Sequence, residues 1–311
     1  MYCSTFQSKE WEEFKLKTGY EKSYRIGDIL VLQKKLPLGR TMLYSPMVSQ
    51  SQLDGIQNTD NSIKKDYLAE INKIGQESRA IFYRMELNVP KANICPLLSD
   101  GFKKSFEEMQ PEHNWVMNIT KSEEEILAEM KQKGRYNIKI ADNGGVKVSS
   151  SNTSGNELNE FYKQYSNTGR RHKIGFRGKK YFASLLDILG QRDYARVYSA
   201  RAGKTALASA VIIFYEKECL YLYGGSSEEM RNLMAPYLLH WEIIKEAKKR
   251  GYEEYNFLGI APDDNQKHAW AGITRFKKQF GGCQVDILGS YDLPIKPLEY
   301  QMFKLAERIR R

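Results

Sequence analysis

The stretch Ala235–Gly259, APYLLHWEIIKEAKKRGYEEYNFLG, decides how this chain folds. Pro236 suits a first helical turn, where a missing N–H costs nothing. Leu238, Leu239, Ile243, Ile244 and Ala247 recur at helical spacing and define one apolar face. Lys245, Lys248, Lys249 and Arg250 crowd the last turns, where cations complement the helix dipole, and Gly251 stops the helix. Upstream, Leu220-Tyr221-Leu222-Tyr223 reads as an apolar strand ending in Gly224-Gly225. Downstream, a second strand ends at Phe257-Leu258-Gly259. Strand, loop, helix, strand is an α/β unit, and ligands of such units gather at the carboxyl ends of the strands.

The whole chain has 311 residues, about two domains at roughly 100–200 residues each. Its hydrophobic content of 41% and 12% aromatics supply real cores. The formal net charge of +10 points to an anionic partner: nucleic acid, lipid phosphate or a nucleotide-linked substrate. Cys3, Cys95, Cys219 and Cys283 are far apart and form no Cys-x-x-Cys pair, which argues against a zinc site or a disulfide framework. No signal-peptide pattern opens the sequence, and no apolar run approaches the roughly 20 residues of a membrane span. A cytoplasmic protein is expected, with contact at a membrane surface open.

Flanking elements follow from periodicity. Tyr24–Leu32 alternates as a strand, 50–61 is polar and reads as a loop, and Ser62–Ser78 reads as a helix through Ile63, Tyr67, Ile71 and Ile74. Ser122 and Glu125 form a capping box that starts a helix running through Ile138. From Val146 the order is strand, two helices, three antiparallel strands, helix, strand, then a helix over Gln266–Phe280 and a strand over Gln284–Leu288. That order resembles the GNAT acyltransferase fold, and the first part of the chain shows a sparser version of it. The expected fold is α/β (α+β): two tandem GNAT-like domains, mixed sheets flanked by helices. The first covers 1–144, with a helix in 294–311 packing on it, and the second covers 145–293.

Several stretches together resemble the Fem family of peptidoglycan bridge-forming aminoacyltransferases. They are Phe6-Gln7-Ser8-Lys9-Glu10-Trp11, Leu36-Pro37-Leu38-Gly39, Gly134-Arg135-Tyr136-Asn137-Ile138, Lys180-Tyr181-Phe182, Tyr223-Gly224-Gly225-Ser226, Ala235-Pro236-Tyr237-Leu238-Leu239 with Trp241-Glu242, and Arg275-Phe276-Lys277. The resemblance implies transfer of an amino acid from aminoacyl-tRNA to an amine on the stem peptide of a UDP-linked or lipid-linked muramyl peptide. It implies no cofactor beyond the tRNA co-substrate, and a monomer is expected, in possible peripheral contact with the inner membrane face. The short stretch between Glu157–Tyr165 and Lys180–Leu189 leaves no room for the coiled-coil arm of some members.

By the same resemblance Lys277 carries the cation that stabilises charge at the reacting ester, and the Phe276 carbonyl helps hold the attacking amine. Lys15 and Arg177 match the basic positions that grip the precursor's diphosphate. Glu86 falls where relatives place an aspartate near the acceptor amine, and Tyr181 and Tyr223 match substrate-contacting aromatics, with Tyr223 expected in the Lys277 cleft. The basic segment Arg135–Arg177, with Lys139, Lys147, Lys163, Arg170, Arg171 and Lys173 between, is a candidate for tRNA or diphosphate contact. Where relatives carry Tyr-x-Pro-Arg-Gly-Pro after the Leu-Pro-x-Gly turn, this chain has Tyr44-Ser45-Pro46-Met47-Val48-Ser49. Two other readings compete. One is a CoA-dependent GNAT N-acyltransferase, disfavoured by Glu228 and Glu229 in the loop where a pyrophosphate would sit. The other is a non-catalytic basic protein that binds RNA or anionic lipid.

Overall fold

The computed structural model describes residues 4–57, 61–93, 95–172, 175–263 and 265–310. They form two compact units, Met1–Glu112 with Asp286–Arg311, and His113–Val285.

The first unit begins with α1 (Lys9–Lys17), capped by Ser8, whose hydroxyl accepts from the Trp11 N–H. The alternating span 24–32 is two strands, not one. Gly27 at φ 56 folds it into a hairpin of β1 (Lys22–Ile26) and β2 (Ile29–Lys35). β3 (Thr41–Ser49) follows the Pro37-Leu38-Gly39 turn. The polar span after it is largely helical: α2 (Gln50–Gln57) forms because Leu53 and Ile56 reach the core. α3 (Asn61–Glu77) adds Tyr67, Ile71 and Ile74 to the same core. These helices cross over to β4 (Ala80–Pro90), which runs parallel to β3, a connection that requires a crossover. β5 (Lys103–Lys104) is a short strand beyond.

The second unit opens on β6 (His113–Asn118) and α4 (Glu123–Glu129), where both halves of the capping box form. The single helix expected through Ile138 is two. The backbone turns extended at Met130 and Lys131, and α5 (Gln132–Asn143) restarts. Arg135 donates to the Leu127 carbonyl at 3.3 Å and to that of Met130, satisfying the end of α4. β7 (Lys147–Ser151), α6 (Asn156–His172), α7 (Lys179–Leu189), β8 (Ala195–Ala202), β9 (Thr205–Tyr215), β10 (Glu218–Ser226), α8 (Ala235–Lys249) and β11 (Glu254–Gly259) follow. α6 and α7 have 17 and 11 residues, lengths of ordinary domain helices. α9 (Ala271–Lys277) is shorter than the expected Gln266–Phe280, since residues 278–280 tighten into a 3-10 turn. β12 (Cys283–Pro294) and α10 (Pro297–Arg310) then return to the first unit.

The strand order is β1-β2-β3-β4-β12 in the first unit and β6-β11-β10-β9-β8-β7 in the second. Within each, the described pairs are antiparallel except one: β3 with β4, and β10 with β11. The sequence order put the domain boundary at 144/145, but the compact units divide after Glu112. The reason is packing: β6 pairs with β11, and Met117, Ile119, Ile126, Met130, Ile138 and Ala141 bury into the core under α8. α10 packs on the first unit through Tyr300 and Phe303 against Phe82, with ring centroids 5.3 and 5.5 Å away.

Gly225, near the end of β10, has a steric reason to be glycine. A Cβ on Gly225 would stand 2.5 Å from the Tyr165 nitrogen of α6. Gly225→Val is therefore expected to destabilise the fold by about 1–3 kcal/mol through forced backbone displacement, read as a lowered urea midpoint. An unchanged midpoint would show that α6 yields freely.

Candidate active site

β10 and β11 pair only over Glu218–Leu220 and Glu254–Asn256, then splay apart. β10 runs on to Ser226 and β11 to Gly259. Leu258 helps to open the splay: it sits at φ 57, and its N–H donates to the Asn256 side chain at 2.7 Å. Left-handed backbone at a branched side chain is strained and persists where the surroundings enforce it.

Lys277 reaches into this splay from α9. Thr274, one turn earlier, accepts the Ala261 N–H at 2.8 Å and fastens α9 to the segment after β11. The Lys277 amine donates to the Gly259 carbonyl at 2.5 Å, and the Tyr221 ring centre lies 6.0 Å from it. The residue is 5% exposed. Burial pushes its amine down to about 7 from the usual lysine range. His240 packs nearby between Tyr221 and Phe276, with ring centroids 4.5 and 5.5 Å away. Burial, and then the Lys277 charge, hold His240 neutral, down to about 3. Its Nδ1 shares a hydrogen bond with the Tyr255 hydroxyl at 2.7 Å. His240 is thus a packed residue that also walls the site. The Phe276 carbonyl already accepts the Lys278 N–H, and its ring packs on Tyr237 at 5.0 Å.

Tyr221, Phe276 and His240 wall a cleft of about 550 Å³ between the end of β10 and the N-terminus of α8. Ser226, Ser227 and Glu229 line its loop side, and Trp270 and Ile273 stand at its α9 side. Tyr223, expected in this cleft, lies on the other face of the sheet. A bulge between Tyr221 and Tyr223 reverses the alternation that would have put both on one side. There Tyr223 packs on Tyr165 and Phe182, and its hydroxyl is 3.4 Å from that of Tyr181. The Arg177 guanidinium lies over the Tyr181 ring at 5.3 Å, and the Arg177 backbone N–H donates to the Tyr165 hydroxyl at 3.3 Å. Arg177, Tyr181 and Tyr223 therefore form one aromatic and cationic cluster. Tyr165 and Tyr221 are the residues the sequence reading missed. Their only signal was proximity in sequence to named neighbours.

Lys15 and Glu86 lie in the first unit, joined by a ladder of rings. The Lys15 ammonium is 5.1 Å from the centre of Tyr20, Tyr20 stacks on Tyr44 at 6.4 Å, and the Tyr44 hydroxyl donates to Glu86 at 2.5 Å. Glu86 also accepts from the Gln110 N–H at 2.6 Å and the Ser290 hydroxyl at 3.3 Å. Burial raises its carboxyl above the usual range, against the pull of these donors. Glu86 is fully buried, because β4 is covered on both faces. Tyr44-Ser45-Pro46-Met47-Val48-Ser49 is part of buried β3, and Gln7 donates to the Pro46 carbonyl. Of the basic segment, Lys173 lies outside the described residues.

Two mixed sheets, each with one parallel pair joined by a helical crossover, define the class: a tandem GNAT-like acyltransferase fold. A tandem GNAT protein from the clavulanic acid pathway superposes with a TM-score of 0.50 at 10% identity, over 87% of this chain and 81% of that one. The crystal structure of FemX superposes with a TM-score of 0.82 at 19% identity, over 96% of this chain and 94% of FemX. The chain belongs to the FemAB family, whose sequence profile matches residues 97–200 and 192–308. It is 36% identical to aminoacyltransferase FemB of Staphylococcus epidermidis over 104 residues, 33% of this chain but only 25% of FemB's length. It is 23% identical to lipid II:glycine glycyltransferase of Staphylococcus haemolyticus, over 96% of this chain and 90% of that protein.

Proposed function

We propose that this protein is an aminoacyltransferase that moves an amino acid from aminoacyl-tRNA to an amine on the stem peptide of a peptidoglycan precursor. The observation that carries the reading is the buried Lys277 amine in the mouth of the β10–β11 splay, beside an open cleft. Family membership and the similarity to a lipid II:glycine glycyltransferase support it. In the reaction, the stem-peptide amine attacks the ester carbonyl of the charged tRNA. A C–N bond forms, the ester C–O bond breaks, and the amine proton ends on the departing ribose hydroxyl. The tetrahedral intermediate carries an oxyanion, and a fixed ammonium in a dry site lowers its cost. Lys277 is that ammonium. Trp270 beside the cleft offers a ring on which a nucleotide base stacks. The Arg177–Tyr181–Tyr223 cluster of the second unit offers a cation for a diphosphate, and the Lys15 ladder offers a separate one within the first unit.

Glu229 in the cleft wall and Glu228 beside it disfavour a CoA pyrophosphate at the α8 N-terminus. The test is transfer of labelled amino acid from a panel of charged tRNAs to UDP-linked and lipid-linked muramyl pentapeptides. Label in the acceptor is expected with at least one tRNA. Failure with every tRNA and both acceptors would overturn the reading, and intact tRNA binding in that case would favour the non-catalytic adaptor.

A further inference from the structure

α10 has two apolar faces. Tyr300 and Phe303 pack inward on Phe82. Leu298, Met302, Leu305 and Ile309, three or four residues apart, form a second stripe that is 83%, 71%, 61% and 78% exposed. A second apolar point stands beside it. Leu38, at the tip of the Pro37-Leu38-Gly39 turn, is 97% exposed and held at φ 59. The Arg40–Glu299 ion pair, at 2.6 Å, ties that turn to the first turn of α10. Leu38 is thus two residues from a point fixed to the start of α10.

From Lys296 to Arg311 the sequence has five basic residues and two acidic ones. Glu299, one of the acids, is neutralised by Arg40 and Lys296. A helix with an exposed apolar stripe among basic residues is built to lie in the interface of an anionic bilayer, apolar side down. A second copy of the chain is the other candidate. Stable association needs roughly 800 Å² from each partner, whereas one face of this 14-residue helix measures only about 21 Å by 10 Å. No helix among the described residues is long and apolar enough to cross a membrane, so the contact is peripheral.

We infer that α10, with Leu38 beside it, docks the first unit onto an anionic lipid surface. This goes beyond the proposed transfer reaction and is tested without turnover. The probe is sedimentation of the full chain with vesicles of phosphatidylcholine, with or without about one third phosphatidylglycerol. The wild-type protein is expected to pellet with the anionic vesicles, less at high salt, and far less with phosphatidylcholine alone. Leu305→Glu with Ile309→Glu, at exposed positions that the fold does not use, is expected to reduce partitioning at least about tenfold at unchanged circular dichroism. Met302→Trp is expected to show a blue-shifted emission on adding anionic vesicles. Equal pelleting of the double variant would overturn the inference. So would a wild-type protein that ignores vesicles, or one that dimerises through the stripe, with dimerisation abolished by the same substitutions.

Discussion

Replacing Lys277 by methionine lowers aminoacyl transfer by about two to three orders of magnitude, the usual effect of removing one preorganised oxyanion stabiliser. The fold survives the change. Methionine is close to lysine in shape, and the amine it removes is one that burial already disfavours as a cation. The sign follows from linkage. Unfolded lysine keeps its proton to higher pH than Lys277, so between about 7 and the ordinary lysine value the unfolded chain binds more protons. In that window wild-type stability rises with pH, and Lys277→Met removes this dependence. Activity behaves oppositely. The ammonium is the working form, so wild-type kcat/KM falls as pH rises through about 7, and the residual activity of the methionine variant lacks that fall. Turnover in Lys277→Met equal to the wild type would remove Lys277 from the chemistry, and a wild-type profile flat through that pH would remove the ammonium from it.

Asp292→Ala costs about 3–5 kcal/mol, a large part of an ordinary domain's roughly 5–15 kcal/mol. Arg84 and Asp292 are both fully buried and form a bidentate pair at 2.7 and 2.9 Å, with the Tyr300 hydroxyl donating to Asp292 at 2.8 Å. The guanidinium lies between Phe82 and Phe106, 5.2 and 5.4 Å from their centres. Without Asp292 the ion pair that remains among the described residues is with Glu107, a partly exposed contact at 3.4 Å. The expected drop in Tm is roughly 10 °C. Arg84→Met with Asp292→Leu recovers most of it, since no lone charge is left in the core. A single variant that melts within a degree or two of the wild type would show that water reaches Arg84.

The stretch around α8 was legible because its apolar period and its stop signals are local. α2 was not, since among its described side chains only Leu53 and Ile56 are buried, and Gly55 lies between them. The domain boundary was hidden for a different reason. The pairing of β6 with β11 joins residues more than a hundred positions apart, which no window of sequence displays. Lys277 was legible through its Phe-Lys motif, but its burial was not, because it depends on Gly259 and Tyr221 from two other strands. The face of Tyr223 was misread because a bulge breaks the period of two on which strand readings rest.

The return of β12 to the first unit also sets an order of events during synthesis. Arg84 and Asp292 are 208 residues apart in the chain. When Arg84 leaves the ribosome, the strand that neutralises it has not been made, and it is still missing while all of His113–Val285 is translated. Early domains of a nascent chain commonly fold first, but here the first-made unit must finish last. Until then it is a sheet with an open β4 edge and a cation seeking a partner, the state in which a nascent chain depends most on chaperones.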